Sequence, residues 1–374
     1  MRIPYARPSI GEAEVALVLD AVSNGWGSER DKHVELFQSE FASYVGTDYA
    51  IATSSCTGAL HLGLAGIGIG PGDEIILADT NWIATLAPIV YLGATPVLVD
   101  ITSDIWCIDP DRVSAAITPR TKAVIATHLY GNVADIKDLQ RICEHHDLWL
   151  VEDAAEGVGS RYGVQHVGSM GDFGVFSFHG SKTITTGEGG MIVTDDAELY
   201  ERTLTLSNHG RSRFESRLFW PERIGFKYKM SSMQAALGVA QLRRVDDLVA
   251  EKQDTLRWLN ESLADIDRIR LNPSQPGRVS GAWMPTIEFC DLEGASETVS
   301  ALRLRGIDAR PVFAPLSGLR VSESRYQNSS AQAFHARAFN VPSPAAMNCQ
   351  ERHYLLSILR PLLQSAVRDR GVNA

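Results

Sequence analysis

The chain has 374 residues, 44% of them hydrophobic, which is enough for about two packed units with cores of their own. With 35 basic against 45 acidic side chains it carries a formal charge of −10, a sign that argues against a general electrostatic footprint for nucleic acid. Five scattered cysteines form no CxxC pair and argue against a disulfide frame or a structural metal site, and no run approaches the roughly 18 apolar residues of a membrane span. The start, MRIPYARPSIGEAEV, lacks an apolar signal core, so a cytoplasmic protein without membrane partners is expected.

In chain order, YAIAT (49–53) reads as a buried strand. ATSSCTGALHLGL (52–64) continues it through Ser, Cys, Thr and Gly into an amphipathic helix, whose first N–H groups suit an anion such as a phosphate, while Ser and Thr there are also ordinary caps. GIGIGPGDE (66–74) follows a helix and precedes a strand, the reverse of a dinucleotide loop, and reads as a turn. The strand EIILA (74–78) leads to Trp82 in DTNWIAT, a ring placed either to cover a flat cofactor or to fill the core. Next come the strand TPVLVDI (95–101), a helix capped by Asp109 or Asp111 and running through Ala116, and the strand AVIATHLY (123–130). DIKDLQRICEHH then puts Ile136, Leu139 and Ile142 on one helical stripe, with His145 and His146 at its end and no partners at metal spacing.

LWLVED (148–153) delivers Asp153 to the carboxyl end of a strand, where α/β sheets place their ligands; a plain helix cap is the alternative. FGVFSF (173–178) passes Ser177 and turns through Lys182 to a GEGG cluster and the strand GMIVTD (190–195). A lysine held in such a turn points into a cleft, although an isolated one reads as a surface lysine. His209 and Arg211 follow in a loop explained equally by helix termination. Continuous apolar strands alternating with helices predict a mostly parallel seven-stranded sheet covered on both faces.

From Ser231 one long helical pattern, SSMQAALGVAQLRRVDDLVAEKQDTLRWLNESLADI, bridges to a smaller C-terminal α+β unit. That unit holds the strand MPTIEF (284–289), a helix over ASETVSALRLRG, the ARPVF segment and a last helix around Tyr354 to Leu363. The expected division is 1–250 for the large unit and 251–374 for the small one, with SESRYQNSSAQ (322–332) as an exposed loop.

Only seven of the 35 basic residues are lysines, so chemistry that needs an amine has few candidates. An amine, a strand-end carboxylate, a helix-end anion cup and a flat ring are together the parts that hold pyridoxal phosphate. At this point SSCTGALHLGL, EDAAEGVG, SFHGSKTITTGEGGM and GFKYKMSSMQAALGVAQL resemble the DegT/DnrJ/EryC1/StrS family of PLP-dependent sugar aminotransferases, with the aspartate aminotransferase-like α/β fold. The resemblance runs from IPYARPSIGEAE to GIDARPVF. It implies Lys182 as the Schiff-base lysine, Asp153 on the pyridinium nitrogen, Glu156 near the ring hydroxyl, Trp82 on the ring face, and Thr57, Gly58 and Ser177 on the phosphate.

The family further implies a homodimer with shared sites. Lys227 stands where many members use an asparagine on the partner's cofactor, and Ser317 stands where many have histidine. Amino transfer from glutamate or glutamine to a nucleotide-linked 4-keto-6-deoxy or 3-keto sugar is the implied reaction. A keto-cyclitol acceptor is the competing reading, and a non-catalytic ligand-binding regulator is a remote one. The related dehydratases carry histidine in place of Lys182. Arg310 is a candidate for a substrate carboxylate.

Overall fold

The structure, a computed structural model, describes residues 1–291, 293–319 and 325–371. The apolar runs form one sheet of seven strands: β1 (Tyr49–Thr53), β2 (Glu74–Ala78), β3 (Thr95–Val99), β4 (Thr121–Thr127), β5 (Trp149–Asp153), β6 (Phe173–Ser177) and β7 (Gly190–Thr194). Their order is β1-β7-β6-β5-β4-β2-β3. The pairs among β2 to β6 are parallel, and β7 runs antiparallel to both neighbours. β2, β6 and β7 are buried at every position, the condition for strands covered on both faces.

Helices cover each face. On one side α1 (Glu12–Asn24) and α2 (Lys32–Val45) pack with later helices, and Phe37 and Phe41 enter a cluster with Phe176 and Phe178. On the other side α3 (Cys56–Gly66) and α4 (Ile83–Tyr91) bury Leu60, Leu62, Leu86 and Ile89 against β2 and β6. Asp109 caps α5 (Pro110–Ala116) through the Asp111 N–H, and α6 (Ile136–His146) buries Ile136 and Leu139, with Ile142 packed at the edge of the core. α7 (Ala197–Ser207) follows the sheet.

The long helical pattern after Ser231 is two helices rather than one, α8 (Ser232–Leu242) and α9 (Val245–Leu263). Arg244 leaves helical geometry at φ −123° and ψ 21°. Its guanidinium reaches Glu14 Oε1 and Ser9 Oγ, while Arg243 pairs with Glu40. These ion pairs break the helix, and the apolar spacing continues through the break.

A second sheet, antiparallel throughout, holds β8 (Ile269–Arg270), β9 (Thr286–Phe289), β10 (Arg310–Pro311) and β11 (Ala338–Asn340) in the order β8-β9-β11-β10. α10 (Ala295–Leu304), α11 (Ser329–Arg337) and α12 (Cys349–Gly371) surround it. Leu259, Leu263, Phe289, Phe339, Leu355 and Leu359 share a cluster with Ile3, which bridges to Ile307.

The stretch read as the loop 322–332 is corrected in its second half. Residues 322–324 lie outside the described residues, but α11 begins at Ser329 because the buried Asp100 carboxylate accepts from the Ser330 and Ala331 N–H groups. Among the described residues no helix is long and apolar enough to cross a membrane.

Candidate active site

Parallel strands aim their carboxyl ends, and the loops after them, at one side of the sheet. There a cavity of about 430 Å³ is lined by Thr57, Trp82, Asp153, Ser177 and Lys182, with Tyr5, Arg310 and Phe313 closing it from the small-sheet side. Thus six of the residues named from the sequence, Arg310 among them, share one space.

Lys182 sits in the turn after β6, and its N–H donates to the His179 carbonyl. Its Nζ lies 3.3 Å from Glu156 Oε1 and 3.7 Å from the centre of the Trp283 ring. Trp283 is itself fixed by its indole N–H on the Ser181 carbonyl. Glu156 is buried and accepts the Tyr130 N–H at 2.7 Å. Burial pushes the Glu156 carboxyl up from its ordinary range, against the pull of the Lys182 ammonium and the Tyr130 N–H. Tyr130 holds φ at 56°, a left-handed conformation that costs a non-glycine residue about 1–2 kcal/mol.

Asp153, at the end of β5, is buried; its Oδ2 accepts from Thr85 Oγ1 at 2.6 Å and its Oδ1 from the Ala155 N–H at 3.1 Å. Trp82 precedes α4, remains 56% exposed, and faces Phe313 with ring centres 5.5 Å apart. Asn81 ties this corner together by accepting the Trp82 N–H and donating to Thr127 Oγ1.

The start of α3 forms the far wall. Ser55 caps it by accepting the Gly58 N–H at 3.0 Å, which leaves the first-turn N–H groups of Cys56 and Thr57 at the cavity. Gly58 therefore shapes this wall instead of offering its own N–H, and a Cβ there would meet Ser55 Oγ and the Tyr228 ring at 3.2 Å. Gly190 on β7 permits the same approach, since a Cβ would fall 2.5 Å from the Cys56 nitrogen. Burial, then the charge of Asp153, push the Cys56 thiol well up, so this wall stays neutral.

The other sequence candidates lie elsewhere. Lys227 is exposed on the segment after α7, where its backbone bridges to Asn208, outside the lining of this chain's cavity. Partial desolvation by the surrounding loop, then the neighbouring Lys229 and Arg211 charges, lower the Lys227 pKa. Ser317 gives its N–H and its hydroxyl to the buried Asp79 carboxylate. His209 bonds through its N–H to the Phe226 carbonyl, and His145 stacks edge-on against His146 at the end of α6.

Sequence reasoning missed Trp283, Tyr130, Thr85 and Tyr5. Thr85 had a local signal, lying four residues after Asn81 on the helix that Trp82 opens. The others arrive from distant segments and had none.

The donor set fits pyridoxal phosphate. Among the described residues Asp153 is a buried carboxylate with hydroxyl and N–H donors but no cation within 4 Å, a costly state that a protonated ring nitrogen relieves. Helix-start N–H groups and Ser177 suit a phosphate.

The sequence profile of the DegT/DnrJ/EryC1/StrS aminotransferase family matches residues 8–360. The chain is similar to a GDP-perosamine synthase of Caulobacter vibrioides, 40% identical over 84% of this chain and 85% of that one. A GDP-perosamine synthase of Escherichia coli O157:H7 is 33% identical over 94% and 96%. Among solved structures, Spr1654 from Streptococcus pneumoniae in its PMP form superposes with a TM-score of 0.91 at 27% identity, covering 99% of this chain and 100% of that chain. Its PLP form superposes at 0.89 and 28%, covering 98% and 100%. A lysine, a buried carboxylate and a helix-end cup in one cavity, on a fold shared over nearly the whole length, place this chain in the DegT/DnrJ/EryC1/StrS family of PLP-dependent aminotransferases.

Proposed function

We propose that this aminotransferase moves an amino group from glutamate or glutamine to a nucleotide-linked keto-sugar, of the 4-keto-6-deoxy or 3-keto type, in amino-sugar biosynthesis. The observation that carries the chemistry is the convergence of Lys182 and Asp153 in one cavity with the start of α3. The choice of a nucleotide-linked acceptor rests on the similarity to the GDP-perosamine synthases. In this reading residues 1–250 hold the cofactor, and residues 251–374 bring Arg310 to the donor carboxylate.

When bound, pyridoxal phosphate supplies the carbonyl that takes up and hands on the amino group, and a ring that drains charge from the substrate carbon. Lys182 moves a proton at Nζ, and Trp283 and Glu156 keep that amine in one place. Glu156 would also face the ring hydroxyl. Asp153 would hold the proton of the ring nitrogen by charge, while Thr57, Ser177 and the backbone around Gly58 would bind the phosphate. Trp82 would cover the ring face.

The active species is a homodimer in which Lys227 reaches the partner's cofactor. This is supported by the exposed apolar side chains of Phe214, Leu218, Phe219 and Ile224 on the same segment.

The test is a panel of GDP-, UDP- and dTDP-linked keto-sugars and a keto-cyclitol, each offered with glutamate or glutamine and read by mass spectrometry of the amine product. We expect product with a nucleotide sugar. Product from the keto-cyclitol alone overturns the acceptor, and an active monomer in sedimentation overturns the role of Lys227.

A further inference from the structure

We propose that Thr85 is a positioning residue for Asp153, its hydroxyl acting as a turnable donor that holds the carboxylate in its charged form beside the cofactor's ring nitrogen. This rests on the reading of Asp153 as the partner of that nitrogen.

The Thr85 hydroxyl has one proton and two acceptors within reach, Asp153 Oδ2 at 2.6 Å and Asn81 Oδ1 at 3.1 Å. The Asn81 amide cannot turn over, because Oδ1 accepts the Trp82 N–H at 2.8 Å and Nδ2 donates to Thr127 Oγ1 at 2.8 Å. Asn81 Oδ1 is therefore an acceptor in every state of the site. Thr85 and Asn81 are each about 2% exposed, so the hydroxyl chooses between these two oxygens rather than solvent.

While Asp153 is charged, the proton of Thr85 points at Oδ2, the shorter and charge-assisted bond. If Oδ2 takes a proton, it donates to Thr85 Oγ1 and the hydroxyl turns to Asn81 Oδ1. Both states are fully hydrogen-bonded with no heavy atom displaced. In the charged state the Thr85 hydroxyl places a charge-assisted bond on Asp153, and removing the hydroxyl removes that donor from the carboxylate that faces the ring nitrogen. The same contact fixes where the carboxylate sits, because Thr85 lies in the first turn of α4 and its N–H is held by the Trp82 carbonyl.

The experiment compares Thr85→Val, which keeps the shape and removes the hydroxyl, with Thr85→Ser, which keeps the hydroxyl, and with Asp153→Asn. Three readouts are taken on the full chain: affinity of the cofactor-free protein for pyridoxal phosphate by fluorescence titration, the pH dependence of the loaded protein's visible spectrum, and steady-state kinetics.

We expect Thr85→Val to weaken pyridoxal phosphate binding and lower kcat, each by roughly 10-fold or more, the size of one hydrogen bond to a charged group. KM should stay within about twofold, the spectral pH profile should move, and Thr85→Ser should restore all three. Wild-type affinity and pH profile in a folded Thr85→Val protein, beside a damaged Asp153→Asn, overturn the role of Thr85 alone. A Thr85→Ser protein as impaired as Thr85→Val also overturns it, since packing would then explain both. Wild-type behaviour in Asp153→Asn overturns the reading beneath. Should the valine variant fail to fold, Thr85→Ala carries the same comparison.

Discussion

Glu152 and Asp153 are consecutive on β5, both are buried, and they meet opposite fates. Strand alternation sends their side chains to opposite faces of the sheet. Glu152 accepts from the N–H groups of Gly168, Met170 and Gly171 and from His128 Nε2, all within 2.9 Å. His128 donates there because its Nδ1 accepts the Ala134 N–H. Every demand of that carboxylate is met inside the chain, and it organises the 168–171 turn. Asp153 has two neutral donors and an open side facing the cavity. Two acids of equal burial thus differ in whether the chain closes their hydrogen bonding, and the open one is the candidate for chemistry.

The comparison breaks first at the amine that shares the open face. Lys182→Ala should reduce turnover below detection and remove the visible absorbance of the loaded protein; retained turnover would remove Lys182 from the chemistry. Next, Asp153→Asn should leave the fold intact and cost on the order of 10²-fold or more in kcat. A loss under twofold would make the two acids equivalent.

Glu152→Gln should do the reverse. An amide opposite backbone N–H groups loses part of a buried network, and thermal unfolding should report a loss of about 3 kcal/mol while turnover per folded molecule stays within about twofold. Burial works to raise the Glu152 pKa, but the His128 hydrogen bond and the N–H groups of Gly168 and Gly171 bring it below the ordinary value. Its contribution to stability is therefore present above the usual carboxylate range and is lost as pH falls through the lowered value. The glutamine variant should accordingly show a flatter acid limb in stability against pH, and an unchanged limb would assign acid unfolding to other carboxylates.

The same contrast explains what was legible in the sequence. Most strands could be placed to within a residue or two, because burial on both faces writes continuous apolar runs such as EIILA and FGVFS, whereas AVIATHLY (123–130) overran β4 by three residues into the turn that holds Tyr130. Lys182, Asp153 and Thr57 were legible because each lies within a few residues of a strand end or helix start. Glu152 was equally visible beside Asp153, yet what closes it comes from the 168–171 turn and from His128, so nothing local told the two acids apart. Trp283 and Tyr130 reach the site by long-range packing, with no spacing to betray them. The break at Arg244 was hidden for a similar reason, since its partners Ser9 and Glu14 stand at the other end of the chain.

The pairing of Ile3 with Ile307 has a consequence for the cavity. Tyr5 donates its N–H to Asp308, its carbonyl accepts from Ser343, and its ring lies 4.0 Å beneath the Arg310 guanidinium. The first residues of the chain are thereby stitched to the segments that flank the small sheet, while the Tyr5 side chain packs into the core of the large one. Tyr5 and Arg310 therefore form one wall of the cavity mouth, built jointly by segments that lie far apart in the chain.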